Sequence, residues 1–143
     1  MDEISEEIHA RSDKARQDAE DYIDALANGA SPERPDLKKI SSEIREECLW
    51  LNNWVKQRVL HFLNKDKVVG LIGGDHSTPL GMMQALAEKF GDFCILQLDA
   101  HADLRNAYEG FEFSHASIMF NALKIEEVQK LVQVGIRDYC EEE

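Results

Sequence analysis

Over residues 2–27 the apolar positions Ile4, Ile8, Ala15, Ala19, Tyr22 and Leu26 recur near helical spacing, and charged residues fill the other faces. Arg11 interrupts this stripe, so the predicted helix is expected to be only half buried. Asn28-Gly29-Ala30-Ser31-Pro32-Glu33-Arg34-Pro35 ends it, because Gly29 suits a C-cap and two prolines forbid continuation. A second helix is predicted over 36–63, with a cleaner stripe of Leu37, Ile40, Ile44, Cys48, Leu51, Val55, Val59 and Phe62, widened by Trp50 and Trp54. Residues 1–66 therefore read as an N-terminal helical segment, a scaffold in which His9 and His61 are ordinary surface or boundary residues.

After Asn64-Lys65-Asp66-Lys67 the period changes. Val68-Val69-Gly70-Leu71-Ile72 and Phe93-Cys94-Ile95-Leu96-Gln97-Leu98 are short aliphatic runs bounded by Gly and Asp, as fully buried strands are. Between them Thr78 can cap a helix with Pro79 in its first turn, and Leu80, Met83, Ala87 and Phe90 would face the sheet. Strand, helix, strand at this spacing predicts a βαβ unit with parallel, adjacent strands whose carboxyl ends share one sheet edge. Ser114 reads as the N-cap of a helix through Leu123, a short helix is expected near 125–130, and residues 131–138 read as a third buried strand.

Composition narrows the function classes. Sixteen Lys plus Arg against 28 Asp plus Glu give a formal net charge of −12, which disfavours non-specific binding to nucleic acid or anionic lipid. Cys48, Cys94 and Cys140 lie far apart without a Cys-x-x-Cys pair, as in a reducing compartment. The first residues lack the basic and apolar regions of a signal peptide, and no stretch reaches membrane-span length, so a soluble cytoplasmic protein is expected.

The chemistry gathers at the ends of the two strands. Gly73-Gly74-Asp75-His76-Ser77 follows the first and Asp99-Ala100-His101-Ala102-Asp103 the second. On an extended run, 99, 101 and 103 share a face. His76 would then meet Asp99, His101 and Asp103, and such a set would repel or desolvate itself without a cation or hydrogen bonds. Histidine and carboxylate without thiolate suit Mn, Fe, Co or Zn. Farther on, Arg105 and His115 lie at the same edge, where loops carry substrate contacts.

Gly-Gly-Asp-His-Ser and Asp-Ala-His-Ala-Asp, in this order, resemble the arginase/agmatinase (ureohydrolase) family, and Val-Gly-Ile-Arg at 134–137 adds to the likeness. The resemblance covers residues 67–143 and implies a three-layer α/β fold with a parallel sheet, present here in part: about three strands plus the N-terminal helices. It implies a binuclear manganese centre that hydrolyses guanidino compounds to urea and an amine. His76 and Asp103 would be ligands of one manganese, His101 of the other, and Asp99 of both. Asp103 or His115 would protonate the leaving amine. His115 would also contact substrate, although Ala116 stands where the family's Ser-His-Gly stretch has glycine. Arg105 is reminiscent of the formiminoglutamase branch, where it would clamp a carboxylate; it can equally pair with Glu109 or Glu112. A homo-oligomer is the family habit. The family's second Asp-x-Asp motif is not found in this sequence. The expectation is therefore a fragment of a larger hydrolase with weak metal binding and little turnover, or a non-catalytic module of the same fold.

Overall fold

The computed structural model describes residues 6–143; Ile4 and the start predicted for the first helix lie outside the described residues. Helix α1 spans Glu6–Ala27 and α2 spans Pro35–Leu63. Gly29, at φ +85°, turns the chain out of α1, and the Ala30 N–H returns to the Ala25 carbonyl at 3.0 Å. Pro35 opens α2 without costing it a hydrogen bond. Arg11 explains the broken stripe of α1: its guanidinium lies 3.9 Å from the centre of the Trp50 ring and donates to Glu47 at 2.6 Å. Ile8 and Tyr22 are the buried residues of α1, which is otherwise half exposed.

Helix α3, Pro79–Phe90, lies against α2. Val55, Val59, Leu60 and Leu63 of α2 pack with Ala85 in one core cluster. The helices come closest at Gly81, where an added Cβ would lie 2.3 Å from the Asn52 carbonyl oxygen. The Thr78 side chain makes no cap; its hydroxyl donates instead to the Asp75 carbonyl at 2.8 Å. A second cluster joins α3 to the sheet through Leu80, Ile95, Ile118, Met119 and Ala122. Burial of side chains such as Ile118, 1% exposed, stabilises by roughly 1.5–3 kcal/mol each.

The sheet has two parallel strands, β1 (Phe93–Leu98) and β2 (Val128–Val134), paired from Phe93↔Val128 to Leu98↔Val134. Between them run a 3-10 turn, His115–Ser117, and a short helix α4, Ile118–Ala122. The α/β class with a parallel sheet is present, in an incomplete form. The strand expected at 131–138 is β2, begun earlier at Val128 and ended at Val134, and two further expectations fail. Residues 68–72 have no regular secondary structure, and β1 pairs with β2 rather than with them. Their alternation is that of a strand: Val69 and Leu71 pack against the α2–α3 cluster while Val68 and Ile72 face solvent. No neighbouring strand among the described residues takes up their backbone groups, and a strand exists only by pairing. The helix expected at 125–130 is a turn leading into β2, because the parallel ladder with β1 claims Val128 and Lys130.

The two faces of the sheet differ. Phe93, Ile95 and Leu131 turn toward α3 and α4, whereas Leu96 and Leu98 on β1, paired with Val132 and Val134 on β2, are exposed, Leu98 to 74%. Parallel sheets are ordinarily covered on both faces.

Candidate metal and substrate site

The ligand-type residues sit where β1 ends. The Asp99 N–H donates to the Val134 carbonyl at 3.1 Å, extending the ladder by one bond. Gly135 follows with φ +93°, and a Cβ there would lie 3.0 Å from the Asp99 carbonyl oxygen. The N–H groups of Arg137 and Asp138 both reach the Ala100 carbonyl, at 2.9 and 3.0 Å. Val134-Gly135-Ile136-Arg137-Asp138 thus forms a backbone cradle under Asp99-Ala100-His101. Facing Gln97 and Gln133 support it from the sheet. The Gln133 amide donates to Gln97 Oε1 at 2.6 Å and to the Ala102 carbonyl at 2.7 Å, and Gln97 donates to the His101 carbonyl at 3.2 Å.

Three of the four residues predicted as ligands meet. His76 Nδ1 is 2.7 Å from Asp103 Oδ2 and 3.4 Å from Asp99 Oδ2. These donor atoms all lie within 4.8 Å of one another. His101 stands apart, its Nδ1 3.3 Å from the other Asp99 oxygen, Oδ1, and its Nε2 3.8 Å from Asp138 Oδ2. Asp99 therefore presents one oxygen to His76 and Asp103 and the second to His101.

The route to this arrangement differs from the predicted alternation. Strand β1 stops at Leu98, residues 99–103 do not continue it, and Asp103 takes φ +56°. A left-handed turn, not a shared strand face, aims Asp103 at His76. The Asp103 side chain is 7% exposed, the most buried of the group. The His101 N–H, donating at 3.0 Å, holds the Asp99 carboxyl below the usual carboxylate range against the effect of burial, with Gln97 and His76 adding to it. Two carboxylates beside an imidazole, with no thiolate, are a donor set that fits a Mn-, Fe-, Co- or Zn-class cation.

The other two predicted residues lie along the rim. His115 Nδ1 is 3.9 Å from Asp75 Oδ2, and its ring meets Tyr108 edge to face at 5.6 Å. Arg105 pairs with neither Glu109 nor Glu112. Its guanidinium lies 5.0 Å from the Tyr108 ring centre and its Nε 3.5 Å from Glu143 Oε2, while Glu112 is engaged by Arg45 and Lys124. Ser114 gives no cap to the backbone; its hydroxyl meets that of Ser117 at 3.0 Å. Sequence reasoning missed Gly135, Gln97 and Gln133 as supports. The Gln pair carries a signal in β1, where Gln97 is the one amide in an otherwise apolar strand; in β2 Gln129 and Lys130 mask Gln133.

Comparison with known proteins supplies the family. The family model described as "Arginase family" matches residues 5–143, so the likeness reaches well before residue 67. The chain is 36% identical over 119 residues to the N(1)-aminopropylagmatine ureohydrolase of Thermus thermophilus, a match covering 78% of this chain and 38% of that protein. It is 32% identical over 89 residues to an agmatinase of Bacillus cereus, covering 62% of this chain and 31% of that protein. The arginase structure from Medicago truncatula superposes with a TM-score of 0.62 at 34% identity, over 71% of this chain and 34% of that one. The chain thus spans between three and four tenths of the length of these relatives. Among its described residues no helix is long and apolar enough to cross a membrane. With the paired motifs, their meeting at the end of β1 and the family match over nearly its whole length, this chain belongs to the arginase family.

Proposed function

We propose that this chain carries part of the active site of a manganese-dependent ureohydrolase acting on a small guanidino compound. The observation that supports the reading best is the meeting of His76 Nδ1, Asp99 Oδ2 and Asp103 Oδ2, with Asp99 Oδ1 turned to His101. His76, Asp99 and Asp103 would hold one cation, and Asp99 with His101 would contribute to a second. Two such ions, when bound, make hydroxide available at neutral pH and polarise the carbon under attack.

The chain's own residues do the rest. Asp99, held ionised by the His101 N–H, offers both oxygens without first losing a proton. Asp103, shielded from water, would take the proton of the oxygen that adds to the guanidino carbon and pass it to the departing amine. His115 offers an imidazole for the same task, steadied by Asp75 and Tyr108. Arg105 borders the place where the substrate's far end would lie. Because Glu143 and Tyr108 already engage it, Arg105 is poorly free to clamp a carboxylate, which favours a guanidino over a formimino substrate.

Mn2+ titration followed by electron paramagnetic resonance, on the wild type and Asp99→Ala, tests the metal reading. Uptake by the wild type and loss of at least tenfold in affinity by the variant are expected. Urea release from agmatine, N(1)-aminopropylagmatine and arginine, against formamide release from a formimino amino acid, tests the substrate class. No Mn2+ uptake by the wild type would overturn the proposal.

A further inference from the structure

Asp103 reaches His76 from a left-handed backbone, φ +56°, that L-residues adopt at a cost. Something must hold it there. Its carbonyl oxygen accepts the N–H groups of Met119 and Phe120, at 3.0 and 3.3 Å, where α4 begins. The other end of the same peptide unit is the N–H of Leu104, which donates to Glu143 Oε1 at 3.1 Å. A peptide unit is planar, so fixing its oxygen and its N–H leaves it no rotation. The plane that follows Asp103 is therefore clamped from both sides, on one by the start of a helix and on the other by a single carboxylate.

That carboxylate is itself well held. Glu143 Oε2 accepts the Cys140 N–H at 2.9 Å and lies 3.5 Å from Arg105 Nε, and the Glu143 side chain is 4% exposed. Its three partners come from the loop after Asp103 and from the loop that continues the cradle under Ala100. Nothing in the sequence marks it, since Glu141-Glu142-Glu143 reads as a solvated acidic run.

We infer that Glu143 is a positioning residue: its carboxylate latches the Asp103–Leu104 peptide and so keeps the Asp103 side chain aimed at His76. The effect on metal binding rests on the metal reading above; the latch itself does not.

The test uses Glu143→Ala and Glu143→Gln. Glutamine fills the same space but has one acceptor oxygen; the Cys140 N–H and Arg105 Nε both call for it on one side, so the Leu104 N–H is left facing the amide NH2. A space-filling role is rescued by glutamine; a latch is not. Amide hydrogen exchange of Leu104 in metal-free protein reads the latch directly, and Mn2+ affinity reads its consequence. Both variants are expected to lose protection at Leu104, and to bind Mn2+ at least tenfold more weakly, the effect usual for partners that orient a ligand. Protection of Leu104 unchanged in both variants, or rescued by glutamine, overturns the latch. Lost protection with Mn2+ affinity within twofold of wild type overturns its role toward Asp103. A wild type that takes up no Mn2+ sinks the metal reading instead, and the latch then stands or falls on Leu104 exchange alone.

Discussion

Replacing Gly135 by alanine separates two costs that usually come mixed. At φ +93° an L side chain is strained by roughly 1–2 kcal/mol wherever it sits. At this position the new methyl also lies 3.0 Å from the Asp99 carbonyl oxygen, which is backbone and cannot swing aside. Forcing atoms into a filled place costs about 1–3 kcal/mol more. Gly29→Ala is the control: its φ is +85°, and nothing lies within 4 Å of its added Cβ. The gain from a stiffer unfolded chain, about 0.4–1 kcal/mol, is common to both variants and cancels. Gly135→Ala should therefore be less stable than Gly29→Ala by about 1–3 kcal/mol. For a chain of this length that is a further drop of roughly 3–10 °C in melting temperature. Calorimetry of both variants measures it, and Mn2+ affinity should fall for Gly135→Ala alone. Equal melting points with unchanged Mn2+ binding would refute the view that Gly135 exists to let β2 pass beneath Asp99.

Gly81→Ala should destabilise despite the better helix propensity of alanine, worth about 1 kcal/mol, because the Asn52 carbonyl at 2.3 Å and Val55 at 2.8 Å force α2 and α3 apart; urea denaturation should show a net loss of about 1–3 kcal/mol. Gln133→Ala strands Gln97 Oε1 and the Ala102 carbonyl, and should cost about 1–3 kcal/mol in the same assay. Burial pushes the Cys48 thiol up to about 11, with Asp75 and Glu47 adding to it, so at pH 8 iodoacetamide should label exposed Cys94 well before Cys48, as read by peptide mass spectrometry. The same raised value means that Cys48 contributes stability that fades as pH climbs above 9, where the unfolded thiol ionises and the folded one does not.

The long elements were readable because their patterns are local. The stripe of α2 and the Thr78-Pro79 start of α3 fall within a residue of the observed bounds, Pro35–Leu63 and Pro79–Phe90. The meeting of His76 with Asp99 and Asp103 was expected from two strand ends, but only that of β1 is present: the run before His76 is not a strand, and a left-handed turn that period-two reasoning does not contain delivers Asp103. What failed was non-local. Residues 68–72 have the alternation of a strand, but pairing is a property of the neighbour, and β1 found its neighbour at 128–134 instead. Residues 125–130 follow α4 closely and look helical until the ladder with β1 claims Val128. Glu143 acts through backbone N–H groups, and those have no residue letter to read.

The uneven covering of β1 and β2 bears on how the molecule moves. Water reaches the ladder from the side of Leu96, Leu98, Val132 and Val134, while the α2–α3 contact is sealed by Val55, Val59 and Ala85. Local opening draws on the least protected hydrogen bonds, so the tip of the ladder at Leu98 should breathe long before the helix pair does. Asp99 hangs from that tip. Anything that caps the wet side of the sheet would quiet the acid groups from behind, without touching one of them.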